Sequence, residues 1–325
     1  MIESRILVTI ITGFLGSGKT TLLNHILTAP HGCRIAVLIN EFGDIDIDGS
    51  LVVSADRDML ELSKGCICCS MNDGLIAALE RLLARKATFD SIVIETTGIA
   101  DPVPVAATFM RPEFAARMRV DAILAVADAE HFALERFEDP AARNQIRYAD
   151  VVLLNKADLV DAARLDAVEA MIREVNPAAR ILPTERSRVA IPLVLGIGGT
   201  HAAEVEDGSA SPEPGHRHAF RSISFSSEVP LDPERFQAVL EGLPAGVFRA
   251  KGFLQLAGVG PIHIFHLVGR RFTLEEASDA DRRTRLVFIG TDFDRDALLG
   301  QLRGCEEPRD ASGVLVAEVH PPTAG

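Results

Sequence analysis

The stretch RILVTIITGFLGSGKTTLLNHILTA (5–29) constrains the fold more than any other part of the chain. An apolar run (5–12) feeds a glycine-rich loop, GFLGSGKT (13–20), which opens directly into a helical pattern (19–29). The loop matches G-x-x-x-x-G-K-[ST], and strand, loop and helix in that order are the setting in which this motif cradles phosphates. Gly13, Gly16 and Gly18 let backbone N–H groups curl around phosphate oxygens. The helix N-terminus adds a favourable field. Lys19 is expected to reach the outer phosphates and the Thr20 hydroxyl to ligate Mg²⁺. Ser17 and Thr21 complete the expected nucleotide contacts of the loop.

A phosphate loop of this kind needs a sheet around it, and the first 180 or so residues supply the pattern. RIAVLIN (34–40), SIVIE (91–95), DAILAVAD (121–128), DVVLLN (150–155) and ARILPT (179–184) are nearly continuous apolar runs. Such runs suit strands buried on both faces of a parallel sheet. Helical stretches lie between them, including DGLIAALERLLARK (73–86) and ARLDAVEAMIREV (163–175), the latter with Leu165, Val168, Ile172 and Val175 on one stripe. The alternation predicts an α/β fold: a P-loop domain over 1–195 with a doubly wound, mostly parallel sheet. Composition then shifts to Gly, Ser, Pro and acid over 196–218, read as a linker. Residues 219–325 are expected to form a smaller α+β domain. Its strand candidates are RSISFSS (221–227), GFLQLAG (252–258), PIHIFHLVG (261–269) and RLVFIG (285–290), with helices over 232–243 and 294–304.

Glu95 ends a buried strand and is followed by TTG (96–98). It is the candidate second magnesium residue, acting through water, while Gly98 would offer its N–H to the terminal phosphate. NKAD (155–158) ends another strand, in the pattern of a guanine reader. The Asp158 carboxylate would accept from guanine N1–H and the exocyclic amine, donors that adenine lacks. Asn155 and Lys156 would order that pocket. These features favour GTP and GDP over adenine nucleotides. No side chain stands out as a general base, so Lys19, Thr20 and Glu95 are the candidates for catalysis by positioning and charge.

The formal net charge of −13 argues against a nucleic-acid partner. The Arg-rich DRRTRL (281–286) reads as a solvated loop. ILVTII (6–11) is too short to span a membrane and runs into the glycine loop, so no membrane partner and a cytoplasmic location are expected. Three of the five cysteines, Cys66, Cys68 and Cys69, fall within GCICC (65–69). An odd, clustered set does not resemble a disulfide framework, and in a reducing compartment it points to metal binding or redox chemistry. Cys33 and Cys305 stand alone and carry no assigned role.

These strings together resemble the CobW family of metal-insertion GTPases. GFLGSGKTTLLNHIL (13–27), NEFGDIDID (40–48), GCICC (65–69), ETTGIADP (95–102) and NKAD carry the resemblance, with FRAKGFL (248–254) and VFIGTDFD (287–294) in the second region. It implies a metallochaperone that hydrolyses GTP and delivers zinc, or a similar ion such as Co²⁺, to a client metalloprotein or cofactor pathway. It also implies that the C-x-C-C motif holds the metal, which agrees with the preference of soft thiolates for zinc. Glu41 is the candidate additional ligand and Asp44 a weaker one. A homo-oligomer is possible. The family's long histidine run is here reduced to His201, His216 and His218. The alternative is a non-enzymatic metal or redox sensor in which GTP is a structural ligand.

Overall fold

The computed structural model describes residues 5–39, 59–61, 71–84, 89–133, 139–196, 220–277 and 283–307. Cys66, Cys68, Cys69, Glu41, Asp44 and the three linker histidines lie outside the described residues.

Seven strands, β1 (Ile6–Thr12), β2 (Ile35–Ile39), β3 (Met59–Glu61), β4 (Ser91–Glu95), β5 (Met118–Asp128), β6 (Val151–Asn155) and β7 (Arg180–Pro183), form one sheet in the order β3-β2-β4-β1-β5-β6-β7. Every pairing between neighbours is parallel. The apolar runs therefore sit where both faces are covered. Leu22, Ile26, Val37 and Val93 pack on one face, and Ile10, Leu38, Leu79 and Ile94 on the other. Helices α1 (Lys19–Thr28), α2 (Met71–Ala84), α3 (Pro102–Thr108), α4 (Pro112–Ala115), α5 (Pro140–Arg147), α6 (Ala162–Val175) and α7 (Ile191–Val194) make the connections. In α6 the expected stripe is observed, with Val168 and Ile172 fully buried and Leu165 and Val175 packed beside them.

The second region builds a five-stranded antiparallel sheet from β8 (Phe220–Ser227), β9 (Val247–Leu256), β10 (Val259–Val268), β11 (Arg271–Glu276) and β12 (Thr284–Thr291), in the order β11-β10-β9-β12-β8. Helices α8 (Pro233–Glu241) and α9 (Arg295–Arg303) cover it, and Phe236, Phe265, Phe288 and Leu302 fill the core. One boundary is corrected. Arg285 and Leu286 fall in both the stretch read as a solvated loop (281–286) and the strand candidate 285–290; the strand is observed and begins one residue earlier, at Thr284, with Thr284 and Leu286 facing inward and Arg285 outward over the Phe253 ring. That alternation is the signature of a half-buried strand.

The two sheets share a buried junction at the amino ends of the parallel strands. Phe248, Val268 and Ile289 join the core formed by α1, α7 and β5. Arg249, only 5% exposed, donates to Asp121 Oδ2 (2.7 Å) and to the carbonyls of Leu193 (3.1 Å) and Val194 (2.8 Å). Asp121 also accepts from the Gly196 amide. Burial alone would raise its carboxyl, but Arg249 and then Arg119 hold it below the usual range. Arg271 bridges to Asp150 and to the Val120 and Asp121 carbonyls.

His266 at this junction is pushed down to about 4, first by burial and then by Arg119, against the pull of Asp121 and Glu275; Lys251 adds to the lowering. The native ring stays neutral while the unfolded one takes up a proton near pH 6.5. The unfolded state therefore binds more protons between those values, and stability falls as pH drops from about 6.5 to 4. His266→Gln should make unfolding less acid-sensitive over that window, by about 2–3 kcal/mol. Urea denaturation of both proteins at pH 7 and pH 4.5 checks this; parallel losses would refute it.

Candidate nucleotide site

The carboxyl ends of β1, β4, β5 and β6 converge, and every described candidate residue lies at that end. Gly13 turns the chain out of β1 with φ +135°, and a Cβ there would meet the Val126 carbonyl oxygen at 2.2 Å. Gly18 caps α1 with φ +114° and leaves no room beside Asn155 Nδ2 and Ser187 Oγ. Only glycine tolerates both the conformation and the crowding. Gly16 also has positive φ, +74°, but in open space.

The Lys19 side chain folds back over the loop, its ammonium donating to the Phe14 carbonyl at 3.0 Å. Burial lowers its proton affinity and Glu95 opposes that shift. Thr20 Oγ1 donates to Glu95 Oε1 at 2.9 Å, so the residues expected to share a magnesium ion are already in contact across β4 and α1. A hydroxyl and a carboxylate oxygen are the hard donors that such an ion takes, so the pair fits Mg²⁺. Ser17 is fully buried with its carbonyl held by Asn155, while Thr21 is exposed on the first turn of α1.

Gly98 lies against the loop, where a Cβ would come within 2.6 Å of the Leu15 amide nitrogen. Its carbonyl and that of Ala100 both accept from Gln145 Nε2, at 3.1 and 3.0 Å.

Asn155 is a strut. Its Nδ2 donates to the Ser17 carbonyl (2.8 Å), and its Oδ1 accepts from the Ser187 amide (2.7 Å) and the Thr184 hydroxyl (3.3 Å). Lys156, in the left-handed region with φ 61°, donates to Asp128 Oδ2 at 2.6 Å. Burial would raise the Asp128 carboxyl, but the Lys156 hydrogen bond holds it below the usual range. Asp158 sits exposed on the short 3₁₀ turn Ala157–Leu159. The sequence reading missed Asp128, Thr184 and Ser187. Asp128 ends DAILAVAD, and an acid at that strand end was a usable signal; Thr184 and Ser187 lie in a turn whose backbone at Arg186 and Ser187 is left-handed, which nothing in TERS announces.

The CobW/HypB/UreG nucleotide-binding domain model matches residues 7–183, more than half of the chain. The chain belongs to that family. A second match, to the cobalamin synthesis protein cobW C-terminal domain, covers 220–306. Among CobW relatives, the zinc chaperone CobW of Pseudomonas aeruginosa is 34% identical, aligned over 91% of this chain and 90% of its own. The zinc chaperone YjiA of Escherichia coli is 31% identical, over 92% and 98%. A zinc-regulated GTPase metalloprotein activator 1 from Dictyostelium discoideum is 30% identical, over 82% and 66%. The fold expected from the alternating pattern, a P-loop sheet followed by a smaller α+β unit, is the one observed. Among the described residues no helix is long and apolar enough to cross a membrane.

Proposed function

We propose that this protein hydrolyses GTP to GDP and phosphate and uses that cycle to bind zinc, or a similar ion such as Co²⁺, and deliver it to a client metalloprotein or cofactor pathway. The observation that carries the reading is the Thr20–Glu95 contact at 2.9 Å beside the buried Lys19, a ready-made magnesium and phosphate corner. The names of the relatives support the zinc half of it. In this reading the site is Gly13, Gly16, Ser17, Gly18, Lys19, Thr20, Thr21 and Gly98 for phosphates and Asn155, Lys156 and Asp158 for the base. Cys66, Cys68, Cys69 and Glu41 are assigned to zinc. Bound Mg²⁺, held by Thr20 and Glu95, would neutralise charge between the outer phosphates. The division at 195 and 219 separates the GTPase unit from the region assigned to client recognition.

Asp158 is exposed and faces solvent, open to a base. Asp158→Asn is therefore expected to shift preference from GTP toward xanthine nucleotides, whose added carbonyl suits an amide donor. Competition binding with GTP, XTP and ATP checks it, and equal ATP and GTP affinity in the native protein would refute the base assignment.

Zinc is expected to bind as thiolate, with proton release and tighter binding at higher pH. A titration against a chromophoric chelator decides the metal assignment, with native protein and the single Cys66→Ser, Cys68→Ser and Cys69→Ser variants in apo, GDP and GTP-analogue states. Sharp weakening in each variant, with different affinities in the three states, supports the proposal. By reciprocity zinc must then alter GTP affinity by the same factor. Native binding no tighter than in a triple variant ends it, and tight binding indifferent to nucleotide leaves the sensor reading instead.

A further inference from the structure

We propose that Gln145 is a positioning residue for the terminal phosphate: from α5 it holds the Gly98–Ala100 turn in the shape that presents the Gly98 N–H. This rests on the GTPase reading above and adds to it a residue from outside the nucleotide motifs.

Gln145 is 1% exposed, on the buried side of its helix with Ala142 and Ile146. A buried amide needs partners, and this one gives both hydrogens to a single short turn, to the Gly98 carbonyl at 3.1 Å and the Ala100 carbonyl at 3.0 Å. The turn is closed by the Ala100 amide on the Thr97 carbonyl. The neighbouring Asn144 holds the next residue along, its Nδ2 donating to Asp101 Oδ2 at 2.7 Å, while Asp101 Oδ1 caps α3 through the Val103 amide. Two consecutive side chains of α5 thus grip consecutive parts of the 98–101 segment.

The grip is anchored at its far side. Asn176, after α6, donates to the carbonyls of Ile146 and Ala149 at 2.8 and 2.9 Å, so the end of α5 is tied to the domain body. On the other side of the turn stands the phosphate loop. Gly98 approaches Leu15 too closely for any side chain, and the Thr96 amide is fixed on the Ile11 carbonyl. The turn is therefore clamped between α5 and the loop: the Gly98 N–H shares a peptide plane with the Thr97 carbonyl, which the Ala100 amide holds, and Gln145 fixes the Gly98 and Ala100 carbonyls that follow it. A ligand with only a diphosphate would not reach this turn; one with a third phosphate would.

The test compares native protein with Gln145→Met, which keeps the volume and loses both donors, and Gln145→Glu. GDP affinity should stay within about twofold, while affinity for a non-hydrolysable GTP analogue and kcat fall about tenfold or more, the scale of losing two buried hydrogen bonds. The Gln145→Glu protein should recover relative to native as pH falls from about 8 to 5, because a buried carboxyl takes up a proton and then has one donor to offer; Gln145→Met should not recover. A packing role alone predicts no such difference. Asn144→Ala, a milder change nearer the surface, should move the GTP-to-GDP affinity ratio in the same direction if Gln145→Met fails to fold. Hydrogen exchange of the peptide covering 96–101 should quicken in Gln145→Met whether or not nucleotide is bound. Unchanged exchange and an unchanged GTP-to-GDP ratio in folded variants would overturn the inference. Native protein that binds no guanine nucleotide would instead sink the GTPase reading, and the exchange measurement would still decide whether Gln145 holds the turn.

Discussion

Arg249→Met is expected to lower the free energy of unfolding by about 3–5 kcal/mol, the usual consequence of removing one partner of a buried ion pair. The loss comes from what remains behind. Asp121 is fully buried and keeps the Gly196 amide, but without Arg249 its strongest cation is gone. The Leu193 and Val194 carbonyls also lose their donors. The sign of the pH dependence follows. In the native protein the Asp121 carboxyl titrates below its ordinary value and so contributes stability above about pH 4, lost as pH falls through its native value. In the variant the buried carboxyl titrates higher, and the gap between the two proteins should widen as pH rises from about 4 toward neutrality. Urea unfolding at several pH values measures this. A gap below about 1 kcal/mol at pH 7 would show that the pair contributes no more than a surface bridge. Asp121→Leu in the Arg249→Met background should recover part of the loss, since an apolar pair of similar volume leaves no charge stranded.

Lys19→Ala should lower GTP turnover by about 10²–10³-fold, the scale of losing one preorganised charge donor to a developing negative charge. Folding should be little affected. The lysine is buried at 7% exposure, but among the described residues its ammonium donates only to the Phe14 carbonyl of the loop it belongs to, with Glu95 as the nearby charge. Since burial already depresses its proton affinity, the ammonium sits in a poorly hydrated pocket where its charge acts at close range. Phosphate release under single-turnover conditions, with thermal unfolding as the control, tests both halves. Near-native turnover would refute the phosphate-loop assignment.

The nucleotide corner was legible in the sequence because phosphate chemistry demands local strings. Gly13, Gly18 and Lys19 must follow one another on a strand-to-helix turn, and Glu95 and Asn155 must end buried strands. What escaped was set by tertiary contact. α5 is eight residues long, too short for its two apolar core positions, Ala142 and Ile146, to stand out as a period, and its place is fixed by Gln145 and Asn176 reaching other segments. β3 spans three residues, too short for any periodicity to register. β11, RFTLEE, is held as an edge strand by Arg271 on Asp150 and by Thr273 and Glu275 on Arg119, partners more than a hundred residues away. Asp-Pro pairs at 101–102, 139–140 and 232–233 each open a helix with the Asp side chain on its second or third amide. Only the last of the three was read as a start, because only it precedes an apolar stripe.

The single strand β5 runs from one working end of the molecule to the other. Its eleven residues begin beside Arg119 and Asp121, under the antiparallel sheet, and finish at Asp128, under Lys156. At strand rise its ten steps span about 33 Å. The antiparallel sheet thus serves as a floor for the parallel one and lies at its base, at the opposite end of β5 from the phosphate loop. Prising the two apart would strip Asp121 of Arg249 and expose Phe248, Val268 and Ile289. Among the described residues β5 is thus one continuous strand shared by both contacts, Arg249 on Asp121 at the floor and Lys156 on Asp128 at the rim.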